Sequence, residues 1–114
     1  MPRVTADADV FSAIAEPRRR QIIDLLAKGG SCAVGDIVTV LKLPQPAVSK
    51  HLSVLRKLDL VSVRKQGQQR HYQLNAHRLK PVHDWVKAYE RFWDHQLDRI
   101  RQRAERQAGQ RPTK

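Results

Sequence analysis

The chain has 114 residues, 40% of them hydrophobic, enough for one packed domain and too few for two of ordinary size. Lysine and arginine number 22 against 11 acids, giving a formal net charge of +11, the balance of a protein that meets a polyanion. No apolar run approaches the roughly 20 residues of a membrane-spanning helix, the start "MPRVTADADV" lacks the apolar core of a signal peptide, and Cys32 is the single cysteine. These features exclude an intrachain disulfide and a zinc site of thiolates alone, and predict a cytoplasmic protein with no membrane partner.

Between Asp9 and Ala27, Val10, Phe11, Ile14, Ala15, Ile22, Ile23, Leu25 and Leu26 recur at helical spacing. Pro17 divides this stretch into two helices and suits the first turn of the second, which "KGG" at 28–30 ends. A short third helix is predicted over Val34 to Leu41, with Ile37, Val38 and Leu41 inward. After "KLPQP" a fourth helix starts near Pro46 and runs to about Leu58. Val48, Leu52 and Leu55 are its buried positions.

After Asp59 the period changes to two. "VSVRKQGQQRHYQL" puts Val61 and Val63, then Tyr72 and Leu74, on one face of a hairpin whose turn is Gly67 and whose tip is basic. From about His77 the helical period returns, and Leu79, Val82, Trp85, Val86, Tyr89, Phe92, Trp93, Leu97 and Ile100 form a continuous apolar stripe. Both tryptophans lie on it, which favours an interface with a second copy over packing within one subunit. Val82, Trp85, Tyr89, Phe92, Trp93 and Ile100 are its candidate interface residues. The single domain is expected over 1–106, and "QAGQRPTK" at 107–114 as a basic, frayed tail.

Two helices joined by a short turn, followed by a hairpin with a basic tip, describe a winged helix-turn-helix: mostly α with a small β-hairpin, dimeric through terminal helices. In such a motif the second helix enters the DNA major groove. The exposed face of the fourth helix carries Gln45, Ser49, Lys50 and Ser53, with Arg56 a turn further on. Glutamine pairs bidentately with adenine, serine contacts base or phosphate, and lysine reaches guanine or phosphate. His51 has two readings, a phosphate donor at the groove edge or a half-buried histidine that supports the turn. From Lys42 to Arg70 there are seven basic residues and one acid, Asp59, whereas an ordinary soluble surface mixes the signs.

Over nearly its whole length the chain resembles the ArsR/SmtB-type bacterial transcriptional regulators. The resemblance runs in order through "VFSAIAEPRRRQIIDLL", "QPAVSKHLSVLRKLDLV" and "GQQRHYQLN". It implies a homodimer on a pseudo-palindromic operator, usually a repressor, with the first and last helices at the dimer interface. By position it assigns Gln45, Ser49, Lys50 and His51 to the recognition helix, and Lys65, Gln68 and Arg70 to the wing. Pro44 departs from the pattern, because the family often has a capping serine there.

Many members sense metals, and the resemblance supplies two sets of ligand positions to compare. Where a Cys-Val-Cys site would lie in the third helix, this chain has Ala33, Val34 and Gly35, with Cys32 one position earlier. On the last helix His83, His95 and Asp98 approach the second ligand pattern, but Pro81 occupies a ligand position and His95 lies one residue beyond the family spacing. One residue turns a helical side chain by about 100°, so no metal and no cofactor are expected. A redox response would need Cys32 to pair across subunits or with a small thiol. Scattered acids, no phosphate-binding glycine loop, and no acid beside Ser49 and His51 argue against an enzyme. The rival to a sequence-specific regulator is a nonspecific, architectural DNA-binding protein, for which charge alone suffices.

Overall fold

The computed structural model describes residues 6–109, and within them Glu16 separates α1 (Ala6–Ala15) from α2 (Pro17–Gly29). Glu16 is extended, and its carboxylate accepts the backbone N–H of Arg18 at 2.8 Å. Pro17 fills the first helical position, where a missing N–H costs nothing. Gly30, at φ 79°, closes α2 by donating its N–H to the Leu26 carbonyl at 2.9 Å. Two arginines of "PRRR" reach back to α1: Arg19 Nε donates to the Ala13 carbonyl and Arg20 to the Ile14 carbonyl, each at 2.7 Å. They satisfy carbonyls that a helix end leaves without partners, and so serve the fold.

α3 (Val34–Leu41) has the bounds its sequence predicts, and α4 (Gln45–Lys57) follows a turn made by Lys42 in the left-handed conformation, φ 55°. Pro44 stands at the N-cap of α4 without a side-chain cap. Its carbonyl accepts the N–H groups of Ala47 and Val48 at 3.0 and 3.1 Å, which starts the helix one residue before Pro46.

The hairpin is present, with β2 (Val61–Gln66) and β3 (Gln69–Leu74) antiparallel, Val61 opposite Leu74 and Val63 opposite Tyr72. Gly67, φ 61°, supplies the left-handed turn residue. The sheet nevertheless has three strands. β1 (Ser31–Ala33) adds to the far side of β3, with Cys32 opposite Tyr72. Three residues are too few to show a two-residue period, and the strand forms because the free edge of β3 offers it a ladder. Asn75 ties off the hairpin: its amide donates to the Asp59 carbonyl and its backbone N–H to the Leu60 carbonyl, both at 2.9 Å.

The core draws on every one of these elements. Ile22, Leu26, Ile37, Val48, Leu52, Leu55, Leu60 and Val61 are almost completely buried, with Val10, Ala13, Ile23, Cys32 and Tyr72 around them. Full burial of each large aliphatic side chain stabilises the fold by about 1.5–3 kcal/mol.

The C-terminal stripe is not one unbroken helix. A 3-10 turn (Ala76–Leu79) leads into α5 (Lys80–Lys87), and α6 (Glu90–Gly109) follows. At the joint, Ala88 and Tyr89 donate to the carbonyls of Trp85 and Val86, three residues back, so the backbone tightens there without proline or glycine. α6 continues through Gly109, beyond the point where fraying was expected, and residues 110–114 of the expected tail lie outside the described residues. The chain divides into two compact units at Val82. The first holds the core just described, and the second is built of helix alone. Among the described residues no helix is long and apolar enough to cross a membrane.

Candidate nucleic-acid interface

α4 is fixed from behind. Val48, Leu52 and Leu55 are at most 1% exposed, and α3 packs against α4. At about 100° per residue, Gln45, Ser49, Ser53 and Arg56 then fall within an arc of roughly 80° that borders this buried face on the side of Leu52, with Lys50 and Lys57 further round, opposite the buried residues. All six are exposed. The stripe offers an amide, two hydroxyls and a guanidinium in line along a rigid helix, and the ammonium groups flank it. Amide, hydroxyl and guanidinium groups are able to read base edges, and ammonium groups to reach guanine or phosphate.

His51 stands apart from this stripe. Its ring is half-buried on the side of Leu55, and its Nδ1 is buried without a hydrogen-bond partner. Of the two readings open from the sequence, this placement matches the half-buried histidine. Ser49 and His51 lie roughly 160° apart around the helix, which is no geometry for a nucleophile and its base.

The wing sets one pair of like charges, Lys65 and Arg70, directly opposite one another. Arg64 faces His71 across the same ladder, and Lys65, Gln68 and Arg70 are exposed. Like charges directly opposite one another weaken a hairpin, and an anion lying across them removes that repulsion. Lys50, Arg56, Lys57, Arg64, Lys65 and Arg70 have no ion pair among the described residues. Asp59, the acid nearest to them in sequence, is engaged by Arg78 at 3.6 Å. The surface formed by α4 and the wing therefore keeps its positive charge for a partner.

Beyond this surface, burial pushes the Cys32 thiol up, and the nearby Asp36 carboxylate adds to the shift. A neutral, buried thiol is a poor nucleophile and a poor metal ligand. Asp98 bonds Arg101 at 3.2 Å, and among the described residues no group of three or more His, Cys, Asp or Glu could hold a metal ion. On the second unit Trp85, Tyr89, Phe92, Trp93, Leu97 and Ile100 are 44–62% exposed. Trp85 meets Tyr89 edge-on at 5.7 Å. Val82 differs from these candidates, since it is half-buried against the core of the first unit.

A family model described as bacterial regulatory protein, arsR family, matches residues 16–63, the span from the N-cap of α2 through the start of the wing. The chain is also 38% identical over 82 residues to an uncharacterized HTH-type transcriptional regulator of Methanocaldococcus jannaschii, covering 72% of this chain and 92% of that one. This chain belongs to the ArsR family. As an ArsR-family transcriptional regulator it is also 38% identical over 78 residues to the transcriptional repressor SdpR of Bacillus subtilis, covering 68% of this chain and 86% of SdpR. Its fold matches the solved ArsR-like transcriptional regulator from Rhodococcus sp. RHA1 with a TM-score of 0.65 at 26% identity, over 87% of this chain and 92% of that one. The mostly helical winged helix-turn-helix read from the sequence is the fold observed.

Proposed function

We propose that this ArsR-family regulator is a repressor that binds an inverted-repeat operator as a homodimer, reading bases with α4 and gripping phosphates with the wing. The observation that carries the reading is the exposed stripe of α4, Gln45, Ser49, Ser53 and Arg56, set on a helix that is anchored by the fully buried Val48, Leu52 and Leu55. Lys50, Lys65, Gln68 and Arg70 supply the sequence-independent grip. Repression is supported by likeness to SdpR, a transcriptional repressor. Dimerisation is supported by the exposed aromatic residues of α5 and α6, a composition that interfaces concentrate. A twofold dimer sets its two α4 helices about one DNA turn, roughly 34 Å, apart.

The test is selection of genomic fragments by the purified chain against excess competitor DNA at physiological salt. Enrichment of one inverted repeat is the expected result. Uniform recovery with steep salt dependence would replace the regulator by an architectural protein. On the enriched site, Gln45→Ala should cost about 1–3 kcal/mol at one operator position and relax the preference there. An unchanged preference profile would remove Gln45 from the readout.

A further inference from the structure

α6 sorts its charges by face. At about 100° per residue, Arg91, Arg99, Arg103 and Arg106, with His95 and Gln102 among them, fall within an arc of roughly 120° that holds no carboxylate. The four acids of α6, Glu90, Asp94, Asp98 and Glu105, fall within a separate arc of roughly 80°. Arg101 lies on the acidic side and is bonded there to Asp98 at 3.2 Å. The ridge arginines have no ion pair among the described residues, and all are exposed. A shallow groove of about 290 Å³ runs between Arg99, Gln102, Arg103 and Arg106. Phe92 lies inside the basic arc, between Arg99 and Arg103, whereas Trp93, Leu97 and Ile100 lie outside it, so an interface built on those three, without Phe92, leaves the ridge open.

A helix that only needed solubility would intersperse its signs. This one gathers unpaired guanidinium groups into a line about 22 Å long, from Arg91 to Arg106 at 1.5 Å per residue, which matches roughly six base pairs of duplex. Guanidinium groups suit phosphate through paired N–H donors. We infer that the basic ridge of α6 is a second DNA-binding surface, one that holds phosphates and carries no base preference. The inference rests on DNA as the partner of α4 and the wing, and it adds a phosphate-holding surface on the second unit.

The experiment measures binding of the full chain to a mixed-sequence 40-base-pair duplex across a salt series. It compares Arg99→Gln/Arg103→Gln/Arg106→Gln, Arg101→Gln and, on α4, Lys50→Gln/Arg56→Gln. Glutamine is a good helix former, and circular dichroism checks that α6 is retained. The ridge variant should flatten the log–log salt slope by about 0.9 for each phosphate no longer neutralised, about 2 to 3 per protomer. Arg101→Gln should leave the slope unchanged. If Arg101→Gln flattens the slope as much per charge as the ridge variant, general charge and not the ridge is responsible, and the inference falls. A wild-type slope for the ridge variant beside a flattened one for the α4 variant also overturns it, while leaving the regulator reading intact. Wild-type slopes in both variants would sink both readings. A ridge variant that loses affinity for an RNA duplex and keeps it for DNA would overturn DNA as the ridge's ligand.

Discussion

The two units of this chain treat their apolar residues in opposite ways. In the first, Ile22, Leu26, Ile37, Leu52 and Leu55 close around one another and leave at most 1% of each exposed. In the second, Phe92, Leu97 and Ile100 are 60–62% exposed although they recur at helical spacing as regularly as any core residue. Periodicity establishes that a helix has an apolar face, and it is silent about whether the same chain covers that face. The first unit uses its apolar surface to position α4. The second leaves its own exposed, and substitutions in the two units should therefore fail differently.

The largest effect belongs to the first unit. Leu52→Ala leaves a cavity beneath α4 and should cost about 2–5 kcal/mol of stability, measured by urea unfolding. A loss under about 1 kcal/mol would mean that α4 is held by something other than this core. Trp93→Ala should leave unfolding of the first unit unchanged and weaken the dimer by about 2–4 kcal/mol, roughly 30-fold to several hundred-fold in the dissociation constant. Sedimentation over a concentration series reads it. A variant that dissociates no more readily than the wild type would take Trp93 out of the interface.

How much of this is legible in the sequence follows from what each signal encodes. Val48, Leu52 and Leu55 announce the buried side of α4 because burial imposes the helical period. Val61, Val63, Tyr72 and Leu74 announce the hairpin because its register sets their alternation. β1 has no such signal, since Ser31–Ala33 is a strand only through its pairing with β3. The joint at Ala88 and Tyr89 carries neither proline nor glycine and is equally silent. The position of His51 beside Leu55 is available from the helical angle, but His51 belongs by sequence neighbourhood to Ser49 and Lys50, which face the other way. The ridge of α6 is hidden for a related reason: its arginines are scattered along the sequence and meet only once they are wound into a helix.

A smaller effect tests whether the first unit is as closed as its burial implies. Burial and Asp36 raise the Cys32 thiol above its ordinary 9.0, so the native state holds this proton more tightly than the unfolded chain does. Below that value both states are protonated and the contribution is fully present. As pH rises, the unfolded thiol ionises first, and stability is lost until the native thiol ionises too, by at most about 1.4 kcal/mol per pH unit. Cys32→Ala should therefore lose less stability than the wild type as pH is raised through this range. Parallel losses in both would mean that water reaches the sulfur.

The smallest effect lies at the two left-handed residues that bracket α4, Lys42 at φ 55° and Asp59 at φ 58°. A side chain at such an angle crowds the following carbonyl, and glycine relieves this at some cost in chain entropy, a net gain of about 0.5–1 kcal/mol. Lys42 is exposed and has no side-chain hydrogen bond or ion pair among the described residues, so Lys42→Gly should be stabilising by that amount. Asp59 has a similar backbone angle with less strain, since aspartate tolerates the left-handed region better than lysine, and its carboxylate meets Arg78 at 3.6 Å in an exposed pair, worth about 0–1 kcal/mol. Its carbonyl bond from Asn75 survives either substitution. Asp59→Gly should therefore come out near zero, and the difference between the two variants in urea unfolding sets an upper bound on the ion pair. Equal gains at both sites would show the ion pair to be worth nothing, and a loss at Lys42 would mean that its side chain supports the turn before α4.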